Sequence, residues 1–500
     1  VETLDFLLIV AVFLPVLGAV VTTVYRRKGQ ALSVSAMTTG ISLLLVLAAA
    51  WAGSVLSSGA SAYSELYDWA PLGTAGLRLD GLSMPFALIV GVLSFVITFY
   101  SSPYMGHKFH EDGAEKWGLY FALYQLYFSG MLGTVLATNI VEFYIFFELM
   151  LIPSYFLIAE FGYGDKGRIS FMYFIWTHIG ALVMLAGLIY LGFSAGSFDL
   201  SALSKTARLL PVVAQMFIAI ALSVGLSVKM AAFGLHVWLP HAHAEAPTPI
   251  SALLSPAMIG IGSYAFFRFL VTLLPSGYSI VSPYLLFWGF ITILYGGLMA
   301  LAQDDVKRLL AYSSISQMGY ILVGIGSASI FGYAGATLQY VAHGLGKGTL
   351  FMMAGILIMQ TGTRSISRLG GLAKRMPITA TLALIGFLTI MGVPPTAGFI
   401  SEFFLFQGAF SAAALGGSPL RFALAFLAML ASLLTFGYAL WTMKRIFFGK
   451  LPDGLDGAKD PSLMALAPMF ALCVLSIVVG IYPFLLDRAV DFFRMAIGGA

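Results

Sequence analysis

Gly392-Val393-Pro394-Pro395-Thr396-Ala397-Gly398, followed four residues later by Glu402, interrupts an apolar stretch long enough to cross a bilayer. Adjacent prolines remove two backbone donors, so a helical ladder breaks there. Irregular backbone at bilayer depth persists only where it is buried in protein or lines a cavity. A second apolar stretch carries Lys229 and then Gly234 and Pro240. Interruptions at matching positions in two halves of a chain predict an inverted-repeat transporter with its site at the breaks.

The remaining sequence places both breaks in a membrane. Of the 500 residues, 60% are hydrophobic and 10% charged, whereas soluble domains carry about 25% charged residues. Mean hydropathy is +0.94. Apolar windows of about 20 residues mark spanning helices. Fourteen are predicted, near 4–25, 31–53, 82–103, 118–138, 140–161, 169–193, 211–238, 249–273, 283–303, 306–326, 332–360, 378–405, 422–446 and 464–487. The fold class expected is therefore an all-α polytopic membrane protein. The first apolar run lacks a basic leader and a small-residue cleavage site, and is expected to be a retained helix.

The interrupted helices are the seventh and the twelfth. Their odd spacing gives two five-helix repeats of opposite topology, helices 4–8 and helices 9–13. The expected organisation is 1–110 for helices 1–3, 111–275 for the first repeat, 276–450 for the second and 451–500 for helix 14. The longest polar gap, about Ser54 to Asp80, is too short for a soluble domain. Seventeen of the 26 lysines and arginines lie in loops after odd-numbered helices, seven lie on the opposite side, and two lie inside helices. Basic loops stay cytoplasmic. A multi-pass cell-membrane protein with both termini on the outer face is expected. The single cysteine, Cys473, excludes an internal disulfide, a thiolate-held iron–sulfur cluster and a cysteine-rich zinc site.

Glu148, Lys229, Lys347 and Glu402 sit inside apolar stretches. A charge at the centre of a membrane helix costs about 2.5–3.5 kcal/mol on insertion scales, so four of them point to ion movement. Glu148 reads either as a hydrogen-bonded acid that pins two helices or as one half of a Glu–Lys proton switch whose state depends on separation. Lys229 is the expected partner, with a purely structural lysine as the alternative. His343 and Lys347 are four apart and share a helix face, which predicts a polar stripe along a hydrated path. His236, seven residues after Lys229, is expected on the same face as that lysine. Glu142 and His178 are secondary candidates. Glu142 also suits a helix N-terminus, and His178 also suits core packing. His241 and His243 could suggest a metal, but no acidic or cysteine cluster completes a site, so none is expected. Asp304, Asp305, Lys307 and Arg308 read as a solvated loop, as do His107 and His110.

Four segments together resemble the antiporter-like subunits of respiratory complex I. They are Phe146-Phe147-Glu148-Leu149-Met150-Leu151-Ile152-Pro153, Lys229-Met230 with Leu235-His236-Val237-Trp238-Leu239-Pro240, Ala242 through Thr248, and Gly392 through Glu402. The shared pattern spans about residues 80–450. Glu402, where the L and N types usually carry lysine, makes the chain similar to chain M. The resemblance implies fourteen helices in two inverted repeats, and places Glu148 and Lys229 in the first half-channel and Glu402 at the exit. It also implies proton translocation driven by quinone reduction elsewhere in the assembly.

The resemblance further implies a non-redox subunit of an NADH-, ferredoxin- or other donor:quinone oxidoreductase. No cofactor is expected in this chain; quinone and iron–sulfur clusters or flavin belong to partner subunits. The partners implied are other antiporter-like and small membrane subunits, a peripheral redox arm and lipid, with no nucleic acid. A subunit of a multisubunit Na+/H+ antiporter or a membrane-bound hydrogenase is the alternative. A redox enzyme with its own cofactor is disfavoured, because the chain has no cysteine pairs and no nucleotide fingerprint. One departure matters. Chain M types usually carry a lysine in helix 8, and alignment on Tyr264 and Arg268 puts Gly260 there. The His343-to-Lys347 spacing resembles the L-type arrangement instead. Lys347 is therefore expected to be the central carrier between Lys229 and Glu402. Gly260 is expected to leave room for water or for Lys347, so a lysine at 260 should substitute for it.

Overall fold

The computed structural model describes residues 6–497 except 26, 57–61, 71 and 114. Both chain termini lie outside the described residues. Among those described, fourteen helices are long and apolar enough to cross a membrane. Helices 1–6 are Leu7–Val24, Lys28–Leu56, Ser83–Asp112, Trp117–Leu136, Ile140–Phe161 and Lys166–Ala195. Helix 7 starts as Val212–Lys229, and helices 8–11 are Thr248–Val271, Pro275–Leu301, Val306–Gly326 and Ile330–Thr361. The long part of helix 12 is Ala397–Leu415, followed by helix 13, Pro419–Phe447, and helix 14, Leu463–Ile481.

Helices 7 and 12 are both broken. Helix 7 stops at Lys229 and resumes as Trp238–Glu245. Between them Ala231 and Gly234 take left-handed φ values of +53° and +87°, a region that costs an L-residue such as Ala231 roughly 1–2 kcal/mol. The Trp238 indole donates to the Val228 carbonyl at 3.0 Å, satisfying one acceptor that the break leaves open. Helix 12 begins as Pro377–Ile390, breaks at Gly392 (φ +66°), and resumes at Ala397. Thr396 Oγ1 donates to the Val393 carbonyl at 2.7 Å inside this break. Helix 8, buried throughout, stands at the centre with helices 10 and 11 against it. Its Leu254–Met258 and Phe266–Val271 segments are π-helical.

One construction recurs at equivalent points of the two repeats. Asn139 caps helix 5 by accepting from the Val141 amide, and its backbone bridges to Asp199 just past helix 6. Asp305 caps helix 10 by accepting from the Lys307 and Arg308 amides, and bridges to Ser365 just past helix 11. Each pair lies five helices from its counterpart, as the two-repeat reading requires.

Two features depart from the elements expected. The polar gap holds an antiparallel hairpin of strands β1 (Ala62–Asp68) and β2 (Thr74–Leu79). It is tied to the helix 4–5 turn, where the Thr138 amide donates to the Gly76 carbonyl at 2.9 Å. Secondly, the last predicted helix is two. Helix 14 ends at Ile481, and an amphipathic helix, Phe484–Ile497, turns back across the bundle end. Its Phe493 ring packs 5.2 Å from the rings of both Phe267 and Tyr333.

Under this helix Arg268 Nη2 contacts Asp80 Oδ1 at 2.8 Å, both nearly buried. Asp80 also accepts from the Leu82 and Ser83 amides at the start of helix 3. Burial pushes the Asp80 pKa upward, but Arg268 and these donors outweigh it and hold it below the ordinary carboxylate value.

The odd number of spans between the two helix ends, helices 2 to 12, is directly testable. A cysteine in place of Gly29, exposed at the start of helix 2, and one in place of Leu415, 90% exposed at the end of helix 12, should label from opposite sides of sealed vesicles. The native Cys473 is buried and should stay silent. Labelling of both from one side refutes this topology.

Candidate ion-translocation site

The buried charges divide between the two breaks. In the first half, Glu148 Oε2 lies 3.0 Å from His178 Nδ1. His178 is thus a partner of the helix 5 carboxylate and more than core packing; its ring also stacks on Phe174 at 5.5 Å. Lys229 forms no ion pair with Glu148. Its Nζ is buried with no hydrogen-bond partner among the described residues and sits over the Phe147 ring, 4.7 Å from the centroid. The two groups nonetheless feel each other's field. The contact expected from sequence is open, and His178 holds the carboxylate while it is.

Helix geometry also separates Lys229 from His236. Because the helix ends at Lys229, a seven-residue spacing no longer places both on one face. His236 sits within the break. Its Nδ1 accepts the Gly234 amide at 3.1 Å, and Nε2 lies 3.1 Å from the Tyr295 hydroxyl. With Nδ1 accepting, the neutral ring carries its proton on Nε2 and offers it to Tyr295.

At the centre, Lys347 is fully buried. Its Nζ donates to the Leu310 carbonyl at 3.1 Å and to Ser313 Oγ, both on helix 10. His343 is equally buried, and neither ring nitrogen has a partner among the described residues. The same holds for His243, whose ring stacks on Phe351 at 4.8 Å. His343 lies in the field of both Lys347 and His243. Sequence reading weighed His243 only as a metal ligand. Among the described residues no group of three His, Cys, Asp or Glu stands together to hold a metal ion.

Gly260 does not open space for water or for Lys347. A Cβ there would run into the Tyr340 ring, which stacks on Phe86 at 4.4 Å. Tyr340 fills the volume a helix 8 side chain would need, so the expected substitution of a lysine at 260 requires this ring to move.

At the second break, the Glu402 carboxyl folds back over Gly392. A Cβ at 392 would stand 2.7 Å from Oε2, so glycine is required there twice, for φ and for space. Glu402 Oε1 is buried and unpartnered among the described residues. Beside it runs a bonded amide chain. Ser401 Oγ donates to Gln339 Oε1 at 2.5 Å, Gln339 Nε2 to Gln317 Oε1 at 2.7 Å, and Gln317 Nε2 to the Ile390 carbonyl at 3.1 Å. These residues were missed from sequence, although a signal existed. Gln339, His343 and Lys347 are spaced by four on helix 11, and Ser313 and Gln317 by four on helix 10.

Two candidates resolve differently. Glu142 sits in the first turn of helix 5, where Oε2 accepts the Gly76 and Thr138 amides at 3.2 Å each. That contact fastens the hairpin to the helix 4–5 turn. Lys307 is buried, not solvated, and its Nζ donates to the Ala246 carbonyl at the end of helix 7's second segment. Asp304 and Arg308 are the exposed members of that cluster. Burial, the largest single effect, raises the Asp304 pKa, but donors from Ser365, Ser367 and Arg445 together outweigh it and hold the carboxyl below its ordinary value.

Two interrupted helices with lysines and glutamates buried beside the breaks define a class of protein, a polytopic membrane subunit built to move an ion. A family model described as NADH:quinone oxidoreductase/Mrp antiporter, TM matches residues 137–431, and one described as NADH-Ubiquinone oxidoreductase (complex I), chain 5 N-terminus matches residues 69–115. The chain belongs to the NADH:quinone oxidoreductase/Mrp antiporter family. It is 33% identical over 487 residues to F(420)H(2) dehydrogenase subunit M of Methanosarcina mazei, covering 94% of each. It is 30% identical over 456 residues to NADH-quinone oxidoreductase subunit M of Rickettsia prowazekii, covering 89% of this chain and 88% of the relative. Among solved structures, a chain of respiratory complex I from Thermus thermophilus superposes with a TM-score of 0.85 at 28% identity, over 98% of this chain and 99% of that one.

Proposed function

We propose that this chain is the proton-translocating membrane subunit of a complex I-like oxidoreductase. Electron transfer elsewhere in the assembly changes the pairing of its buried charges. The observation that supports it most is the open contact between Glu148 and Lys229. One member is held by His178 and the other has no partner. Such a pair has two arrangements, and moving between them alters which group holds a proton. The break at Lys229 gives that lysine freedom a continuous helix would deny. Lys347 and His343 continue the path to Glu402 at the second break. Residues 111–275 and 276–450 act as the two repeats, with helices 1–3 and helix 14 flanking them.

On this reading the chain itself is non-redox. Quinone and iron–sulfur clusters or flavin reside in partner subunits, which include further antiporter-like and small membrane subunits and a peripheral redox arm. The chain sits in the cell membrane with its termini outward. A subunit of a multisubunit Na+/H+ antiporter or a membrane-bound hydrogenase is the second reading, supported by the four-residue spacing of His343 and Lys347, which resembles the arrangement in antiporter relatives. Hard cations require several oxygen ligands, and the central positions here are occupied by lysine and histidine, which favours protons.

The assembly reconstituted in sealed vesicles provides the test. On quinone reduction, proton uptake from the cytoplasmic side should proceed equally with and without sodium in the medium. Loss of proton movement in sodium-free medium would overturn the proton reading.

A further inference from the structure

A pocket of about 180 Å³ lies at the bundle end where the amphipathic helix turns back. Strand β2, the end of helix 8, the short helix Leu200–Thr206 and the amphipathic helix all contribute to its wall. Three arginines line it, Arg78, Arg208 and Arg268, against one carboxylate, Asp80. That carboxylate is already engaged by Arg268 and by the Leu82 and Ser83 amides. Arg78 and Arg208 form no ion pair among the described residues.

Neither of these two guanidinium groups is used up by its neighbours. Arg78 lies over the Tyr63 ring, 5.7 Å from the centroid, a contact that engages the cation and leaves its N–H donors free. Arg208 Nη2 donates to the Thr272 carbonyl at 3.2 Å and to the Ala496 carbonyl, whereas its Nε is buried with no partner among the described residues. A buried donor without a partner points to a ligand or a water. With two uncompensated positive charges beside it, the partner that fits is an anion. Guanidinium forks match the oxygens of phosphate in pairs, and the exposed Ser201 adds a hydroxyl at the rim. A water takes up about 30 Å³ of liquid, so the pocket has room for a phosphate group with a short ester arm. Leu209, Val212 and Val213, which follow Arg208 in the chain, are 83%, 54% and 61% exposed. Apolar surface for an acyl chain thus begins where the arginines end.

We propose that this pocket binds a phosphate group, presented by a phospholipid headgroup or as free phosphate, with Arg78 and Arg208 as its ligands. The bound anion ties strand β2, through Arg78, to the amphipathic helix, whose Ala496 carbonyl Arg208 already holds. Arg268 keeps its own carboxylate and contributes only its field. No step of ion translocation is involved, so the site stands whichever ion the chain moves.

The complete assembly in detergent, stripped of loosely held lipid, tests this with two radiolabelled probes, phosphatidylglycerol and inorganic phosphate, at constant ionic strength. Among the described residues Arg78 has no side-chain hydrogen bond to lose, so Arg78→Gln should assemble at the wild-type level and bind one or both probes at least fivefold more weakly. Arg208→Gln should bind as weakly. Lys205 is exposed and outside the pocket, so Lys205→Gln should bind as the wild type does. Weakening toward phosphatidylglycerol alone identifies a lipid headgroup as the source, and weakening toward inorganic phosphate identifies the free anion. Unchanged binding of both probes in Arg78→Gln overturns the site, as does a wild type that binds neither. An equal loss in Lys205→Gln also overturns it, because the attraction is then diffuse surface charge. Should Arg208→Gln fail to assemble, Arg78→Gln decides alone.

Discussion

Lys229→Met should abolish at least nine-tenths of this subunit's proton translocation while leaving its assembly intact. The second half of that expectation is the less obvious one. Nothing among the described residues bonds Lys229 Nζ, which rests only on the face of Phe147. Removing a buried, unpaired charge relieves a desolvation cost and strands no partner, so folding should not suffer. The driving force does suffer. Moving one charge against the membrane potential takes about 2.3 kcal/mol per 100 mV, and a methionine offers no pairing to change. Glu148→Gln keeps the size of the side chain and a contact with His178, and it should be comparably inactive. The measurement is the ratio of protons moved to electrons transferred in sealed vesicles. A normal ratio in both variants would make these residues structural.

Arg268→Leu should be the most destabilising single change considered, by about 3–5 kcal/mol, because it leaves Asp80 buried and charged without its cation. Thermal unfolding of the detergent-solubilised protein would report it. Asp80→Asn combined with Arg268→Leu should recover most of the loss, since no charge is then stranded. The pH dependence has a definite sign. Asp80 has a depressed folded pKa, so the stability it contributes is complete above the ordinary carboxylate pKa and is lost as pH falls through the folded value. The wild type should be insensitive near neutrality. The gap between it and Arg268→Leu should narrow in acid, where the stranded carboxyl takes up a proton. A double variant no better than the single one would sink the argument.

The spans, the two breaks and the buried charges were legible in the sequence because each is a local signal: an apolar run, a Pro-Pro pair, a charge where none belongs. What was not legible depends on pairing across the chain. His178 looked like core packing because nothing near it in sequence announces Glu148, thirty residues earlier on another helix. Lys307 looked solvated because it follows two aspartates, yet tertiary packing buries it against the end of helix 7's second segment. The space at Gly260 looked empty because the ring that fills it belongs to Tyr340 on helix 11. The hairpin was missed because a short strand pair held by a helix turn lacks the clean alternation that marks an independent sheet. Phe484–Ile497 merged with helix 14 because hydropathy windows do not see a change of direction.

The Asp80–Arg268 contact bridges 188 residues of chain. At roughly 5–20 residues per second of synthesis, Asp80 emerges some ten to forty seconds before Arg268 does. For that interval the first three helices and the hairpin wait with an unmatched carboxylate. Arrival of helix 8 closes the contact, and the amphipathic helix that lies across it, with Phe492 against the Arg268 guanidinium, is made later still. Biogenesis thus has a built-in order: the bond between the start of helix 3 and helix 8 forms only once helix 8 has been made, and its cover arrives after more than two hundred further residues, roughly ten to forty seconds later.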